Sequence, residues 1–292
     1  MAHSDPALAQ ESPLLAGELD QAEALVREAG WNQIAADWRI FLDLGTVLAV
    51  RNSAGRVVAT AATLPYGGRF AWVSMVLVAK EYRRQGLARR LLDHCVRDIT
   101  AKGLVPILDA TPAGRSVYSG IGFQDMWGFQ RLVCGKLRPA ERPAAVPDGT
   151  TIRPITDADW PELCSYDAGI FGADRGTVLG RLRSRVPSAE FVALRRARIT
   201  GFLLGRDGQS ATQIGPLVAE DEATALALLD RGFGAIDGRI YIDLADTKVA
   251  LRAWLRRRGF DVQRPFTRMV FGRSESFADP NRTFAVAGPE LG

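Results

Sequence analysis

The sequence predicts an α/β (α+β) protein made of two tandem domains that use one fold twice. Three observations carry that prediction. An order of helices and strands occurs twice, a Pro-rich polar segment near the midpoint separates the two runs, and the pairs Gly122-Phe123 and Gly259-Phe260 each close a helix at the same place in the order. A chain of 292 residues holds two domains at roughly 100 to 200 residues each.

In the first run, residues 19–29 and 33–44 read as helices. Strands follow at 46–51, 56–64 and 69–78, the first two joined as a hairpin by Ser53-Ala54-Gly55. From Gly86 the apolar positions Leu87, Leu91, Leu92, Cys95, Val96 and Ile99 recur at helical spacing until Lys102-Gly103 supplies a basic last turn and a stop. A buried strand at 105–109, a helix opened by the cap and first-turn pair Thr111-Pro112, and a strand at 129–134 complete the run. The second run has helices at 157–168 and 174–185 and strands at 191–194, 199–205 and 212–218. It ends with helix 222–231, strand 239–244, helix 247–257 and strand 267–271. The expected organisation is a domain at 1–137, a linker at 138–150, a domain at 151–273 and a loose tail at 274–292 that either hangs free or packs across a domain surface.

Composition excludes several classes. Hydrophobic residues make up 47% and charged residues 24%, an ordinary globular balance that leaves no room for a collagen-like, disordered or disulfide-scaffold chain. Thirty-seven basic residues against 33 acidic ones leave a net charge of +4, which is no footprint of a nucleic-acid binder. The two histidines, His3 and His94, are too few for a multi-His metal site and provide no convincing triad base, so no metal is expected. Cys95, Cys134 and Cys164 are odd in number and sit in apolar runs, as core residues of a reducing compartment do. With no basic leader and no long apolar run, the expectation is a cytoplasmic protein that does not associate with membranes.

The segment that carries chemistry is Val76-Leu77-Val78-Ala79-Lys80-Glu81-Tyr82-Arg83-Arg84-Gln85-Gly86-Leu87-Ala88-Arg89-Arg90. It passes from a β-branched strand through a polar turn into an amphipathic helix, placing the free amides of a first helical turn beside several arginines. That is an anion site if it is more than a solvated turn, and Gly86 lets a phosphate approach the backbone.

Here the sequence resembles the GNAT superfamily of acyl-CoA-dependent N-acetyltransferases. The motif Arg/Gln-x-x-Gly-x-Gly/Ala stands as Arg83-Arg84-Gln85-Gly86-Leu87-Ala88, and Tyr118-Ser119-Gly120-Ile121-Gly122-Phe123 matches the family's Tyr-x-x-x-Gly-Phe. The resemblance covers roughly residues 18–135 and implies, in each half, a mixed, mostly antiparallel sheet flanked by helices. It implies acetyl-CoA as co-substrate, its pyrophosphate held by the amides of Arg84 to Arg89 beside Arg83, and its pantetheine arm paired to the backbone of Val76, Leu77 and Val78 like an added strand. The thioester would then point into the cleft where the fourth and fifth strands splay. Tyr118 takes the position that protonates the departing thiolate, or else packs as an aromatic against the Gly-Phe turn.

The base for the acceptor amine is not legible. Some relatives carry Glu in the fourth strand, whereas this chain has Ala71-Trp72-Val73-Ser74-Met75, leaving Ser74 or a bound water as relay, or Asp109 or Asp125 if either faces the cleft. In this superfamily the first helices and their loop set acceptor specificity, which implies Trp31, Asn32 and Asp37 as acceptor contacts. The competing reading makes Trp31 and Trp38, seven apart, one core-facing helical stripe.

In the second half, Glu220-Asp221-Glu222-Ala223 stands where the first half has Arg83-Arg84-Gln85-Gly86, and Leu255 stands four residues before Gly259 where Tyr118 precedes Gly122. This half reads as a GNAT-like fold without a CoA site. Through Phe171-Gly172-Ala173-Asp174-Arg175, Ile214-Gly215-Pro216-Leu217-Val218-Ala219 and Arg268-Met269 it resembles the C-terminal domain of a tandem group of bacterial GNAT proteins, in which the extra domain covers the acceptor side, implying Asp174, Asp243 and Arg268 as acceptor contacts or, equally, as caps and ion pairs. The functional expectation is acetyl transfer to a primary amine of a small molecule by direct attack in a ternary complex. The alternative is an acyl-CoA sensor without turnover, and the oligomeric state is left open.

Overall fold

In the computed structural model, which describes residues 8–140 and 142–292, the chain divides into two compact units, Met1–Leu108 and Asp109–Gly292. His3 lies outside the described residues.

The first unit begins with the edge strand β1 (Ser12–Pro13) and helices α1 (Leu19–Ala29) and α2 (Ala35–Leu44). Gly30 ends α1 with φ 66°, a left-handed cap that glycine adopts at no steric cost. Strands β2 (Thr46–Arg51), β3 (Val57–Tyr66) and β4 (Phe70–Val78) form an antiparallel meander, and α3 (Leu87–Ala101) crosses over to β5 (Val105–Ala110), parallel to β4. The apolar stripe of α3, Leu87, Leu91, Leu92, Cys95 and Ile99, is buried as its spacing predicts, and α3 packs on β3 and β4. Burial pushes the Cys95 thiol up to about 12, so it is a core side chain and not a nucleophile.

The second unit contains α4 (Pro112–Ser119), β6 (Phe123–Cys134), β7 (Thr150–Pro154), α5 (Trp160–Phe171), α6 (Gly176–Leu182), β8 (Phe191–Arg195), β9 (Arg198–Arg206) and β10 (Thr212–Ala219). It continues with α7 (Glu222–Phe233), β11 (Ile240–Ala245), α8 (Val249–Arg257), β12 (Asp261–Phe271) and β13 (Thr283–Ala285). Its strands lie in the order β12-β6-β11-β13-β10-β9-β8-β7. The family-like expectation of a mixed, mostly antiparallel sheet flanked by helices holds: β4–β5 and β10–β11 are parallel and the other recorded pairings are antiparallel.

Two strands exceed their sequence-based limits. β6 starts at Phe123 rather than 129, and β12 at Asp261 rather than 267. Polar residues interrupt the alternation in both, yet the strands pair with each other from Phe123↔Phe271 to Val133↔Asp261, absorbing the irregularities in two register shifts. Because β6 precedes the Pro-rich linker but pairs with β11 and β12, the compact units part at 108/109 rather than at the linker. The segment 274–292 is no loose tail. It carries β13 inside the sheet, with Phe284, Ala285, Val286, Ala287 and Leu291 buried.

Charged side chains are buried in this second unit in pairs. Arg131 on β6 donates two hydrogen bonds to Asp243 on β11, at 2.8 and 2.7 Å, with side chains 3% and 0% exposed, and Gln213 Nε2 donates to the same carboxylate at 3.0 Å. Arg175 grips Asp167 through Nε at 2.8 Å and Nη2 at 2.9 Å. Such forks are geometrically specific, and deleting one partner strands the other charge in a dry interior. Arg131→Met is expected to lower unfolding stability by about 3–5 kcal/mol, whereas Arg131→Met with Asp243→Leu recovers a substantial part of that loss, as urea unfolding followed by circular dichroism will measure.

Candidate active site

Parallel strands β4 and β5 pair from Phe70↔Val105 to Trp72↔Ile107, and the recorded ladder stops there although β4 runs on to Val78. The reason is local. Between Ser74 and Leu77 the β3–β4 register slips by one residue, Met75 takes φ 52°, and its carbonyl accepts a hydrogen bond from Thr60 Oγ1 at 2.9 Å. This bulge turns the strand and leaves its outer edge, Val76 to Val78, to be satisfied otherwise. Val76 and Val78 are half-buried, Leu77 is buried, and the Val78 carbonyl accepts from Arg83 Nε at 3.0 Å.

From Val78 the chain passes through a short 3-10 turn at Lys80–Tyr82 into α3. Arg84 and Gly86 have φ of 63° and 81°, and two such residues turn neighbouring N–H groups to one side. A β-carbon built on Gly86 meets nothing within 4 Å, so the glycine serves its backbone angle and leaves open space above the helix start. No side chain caps α3 and no acid lies in its first turn, so the N–H groups of Leu87, Ala88 and Arg89 face outward with the positive end of the helix dipole. Arg83 lies 3.9 Å from Glu28 and Arg89 pairs with Asp93 at 2.9 Å, while among the described residues Arg84 makes no ion pair. Arg83, Arg84, Gln85, Gly86, Ala88 and Arg89 are exposed and Leu87 anchors the turn in the core.

Ser74, at the start of the bulge, is 8% exposed and its Oγ is without a partner. An unsatisfied hydroxyl at that depth costs about 1–3 kcal/mol unless a water or ligand meets it, which marks the position. Among the acceptor candidates of this unit, Asn32 and Asp37 are buried, and Asp37 Oδ2 accepts from Ile34 N–H at 2.9 Å to cap α2. Trp31 is half-buried in the connection before Ala35, while Trp38 is fully buried in α2, so the two do not form one helical stripe.

In the second unit, α4 opens with Thr111 Oγ1 accepting from Gly114 N–H at 3.3 Å and Pro112 in its first turn, as the sequence predicts. Tyr118 lies one turn after Gly114, and a β-carbon at 114 would come within 2.8 Å of its ring and 3.3 Å of its hydroxyl. Gly114 therefore makes room for the phenol, a positioning role that no sequence motif announced. The ring packs against Phe123 at a centroid distance of 6.2 Å, and burial raises the phenol pKa, which keeps it protonated as a proton donor must be. Asp109 and Asp125 are both engaged, with Arg268 by two 2.9 Å bonds and with Arg115 at 2.9 Å. Asp243 is held by Arg131, and Asp174 accepts from Gly176 N–H at 2.8 Å. Arg268, Asp243 and Asp174 thus already have intrachain partners, which is the cap and ion-pair reading of these residues.

The corresponding turn of the second half is built differently. Eight residues separate β4 from α3, whereas only Glu220 and Asp221 separate β10 from α7. The helix starts align Asp221, not Ala223, with Gly86. Asp221 caps α7 by accepting from Thr224 N–H at 2.8 Å, so a carboxylate fills the place that Gly86 leaves open in the first half.

An acetyltransferase (GNAT) domain model matches residues 43–125 and a second acetyltransferase (GNAT) domain model matches residues 163–285, together more than half of the chain. The chain is 24% identical over 239 residues to the uncharacterised N-acetyltransferase YitH of Bacillus subtilis (strain 168), covering 81% of this chain and 82% of that one. In fold it is similar to a candidate acetyltransferase of Pyrococcus horikoshii, with TM-score 0.77, 18% identity and coverage of 97% and 95% of the two chains. It is also similar to a tandem GNAT protein from the clavulanic acid biosynthesis pathway, with TM-score 0.65, 18% identity and coverage of 92% and 100%. Among the described residues no helix is long and apolar enough to cross a membrane, and no cluster of three or more His, Cys, Asp or Glu could hold a metal. The chain belongs to the GNAT acetyltransferase superfamily as a tandem protein with one such domain in each half, and it is an acyltransferase.

Proposed function

We propose that the chain moves an acetyl group from acetyl-CoA to the primary amine of a small-molecule acceptor, and that the first half carries the cofactor. The observation that supports this reading most is the bulged end of β4 running into an uncapped, acid-free, Arg-flanked helix start at Gly86. The pyrophosphate would lie on the amides of Arg84 to Arg89 beside Arg83 and Arg84, and the pantetheine amides would pair with Val76 to Val78 as an added strand. Binding would compete with the Arg83 to Val78 hydrogen bond, freeing that carbonyl for the cofactor.

In the reaction the amine nitrogen attacks the thioester carbonyl carbon, the C–S bond breaks, and the sulfur leaves with its electron pair. Tyr118 supplies the proton to that sulfur. The proton lost by the amine passes to water, for which the unpartnered Ser74 hydroxyl is the anchoring group. Trp31 is the acceptor contact that the geometry favours, because Asn32 and Asp37 are buried. An acyl-CoA sensor without turnover remains the second reading, favoured by the absence of any carboxylate from Phe70–Val78. Tight acetyl-CoA binding with no thiol release on an amine panel would establish it.

Tyr118→Phe is expected to lower kcat on the order of a hundredfold while acetyl-CoA affinity stays within about twofold, and equal turnover would remove Tyr118 from the mechanism. A raised phenol pKa places the alkaline limb of kcat above the ordinary tyrosine value of about 10, and that limb disappears in Tyr118→Phe. Gly86→Val, which puts a branched side chain at a left-handed residue over the helix start, is expected to weaken acetyl-CoA binding more than roughly tenfold, read by calorimetry.

A further inference from the structure

The second half repeats the divergence of parallel strands and then fills it. β10 and β11 pair from Thr212↔Ile240 to Ile214↔Ile242, and the β9–β10 register slips immediately afterwards, between Ile214 and Leu217. Into the gap runs β13, antiparallel to both neighbours, with Ala285 opposite Leu217 on one side and Leu244 on the other. Backbone bonds close it, from Ala219 N–H to the Arg282 carbonyl at 3.1 Å and from Val286 N–H to the Asp243 carbonyl at 3.1 Å. At the slip itself, Gly215 has φ 143° and a β-carbon there would stand 2.1 Å from the Val286 carbonyl, so glycine lets the inserted backbone touch the strand.

Charge follows the same plan. Arg282, at the head of the inserted segment, reaches Glu220 in the turn before α7 at 3.2 Å and Asp279 at 2.8 Å. Lys248 donates to the Asn281 carbonyl and stands 4.1 Å over the Phe284 ring. At the deep end Glu290, 4% exposed, pairs with Arg206, and Arg175 donates to the Gly292 carbonyl at 2.7 Å. A cation lies against an acidic turn, an extended strand fills the gap, and a buried anchor ends it.

We propose that Arg282–Gly292 is a tethered occupant of the second half's cofactor groove, a peptide standing where the first half takes acyl-CoA. The inference rests on the reading of the β4–β5 groove as the acyl-CoA site, to which it adds that the second half binds no coenzyme and that each chain binds one. The polarity of the turn is reversed because its occupant is: a basic loop suits a pyrophosphate, and Glu220 suits Arg282. Insertion also places Val286 against Phe129 and Phe266, so the segment completes part of the hydrophobic core.

Hydrogen exchange on the intact chain without any coenzyme tests the insertion by itself. The amides of Ala219 and Val286 are expected to exchange as slowly as that of Ile242 in the neighbouring strand, and rapid exchange at Ala219 and Val286 would overturn the proposal. Arg282→Glu keeps the full chain and sets a like charge against Glu220 and Asp279. It should speed those two amides at least tenfold with Ile242 unchanged, and unaltered rates would show that charge does not seat the segment. Calorimetric titration with coenzyme A should give one site per chain, weakened more than roughly tenfold in Gly86→Val; two sites, or a site whose affinity is unchanged in Gly86→Val, would refute a closed second groove. No binding at all would sink the reading of the first half while leaving the second half closed to coenzyme A, as proposed.

Discussion

Two parallel strands that separate partway along their length leave a row of N–H and C=O groups without the partner that the ladder supplied. In a protein interior such groups cannot remain unpaired at a tolerable cost, so whatever enters the gap is chosen for its ability to hydrogen-bond like a strand. Both halves of this chain contain that gap, and in both a register slip in the neighbouring antiparallel ladder, near Met75 and near Gly215, accompanies it. In the proposed reading the first half keeps its gap for a ligand with amide groups. The second half satisfies the same need with its own backbone.

The charge at the adjoining helix start differs between the halves. In the first half an eight-residue connection presents amides and arginines, and the cap position is a glycine that withholds any side chain. In the second the connection shrinks to two acids, and Asp221 satisfies the helix N-terminus internally. A net charge of +4 is silent about this contrast, because the sign that matters is local to a few residues.

Buried ion pairs set the character of the second unit. Arg131–Asp243, Arg268–Asp109 and Arg206–Glu290 tie together strands and segments far apart in sequence, and Arg175–Asp167 ties the start of α6 back to α5. Asp109 illustrates the balance: burial raises its pKa most, Arg268 opposes that shift, and Asp243 and Glu290 add to it. These carboxylates and guanidiniums hold register in a sheet whose strands β6 and β12 carry irregular polar residues that hydrophobic alternation alone would not align.

The sequence by itself determined the repeated order of elements, the helix that follows the basic turn, the Thr111-Pro112 helix start and the residues of both motifs, because each is written in neighbours a few positions apart. It also showed which half had lost the motif. Tertiary structure decided what depends on partners distant along the chain. β6 joins β11 and β12, Asp243 and Arg268 have buried partners, Trp31 and Trp38 occupy different elements, and residues 283–285 form a strand within the core. The segment 274–292 looked loose because its Gly and Pro residues and short apolar runs carry no periodicity; only the gap between β10 and β11 gives those residues an ordered place, and that gap exists only once the sheet has formed.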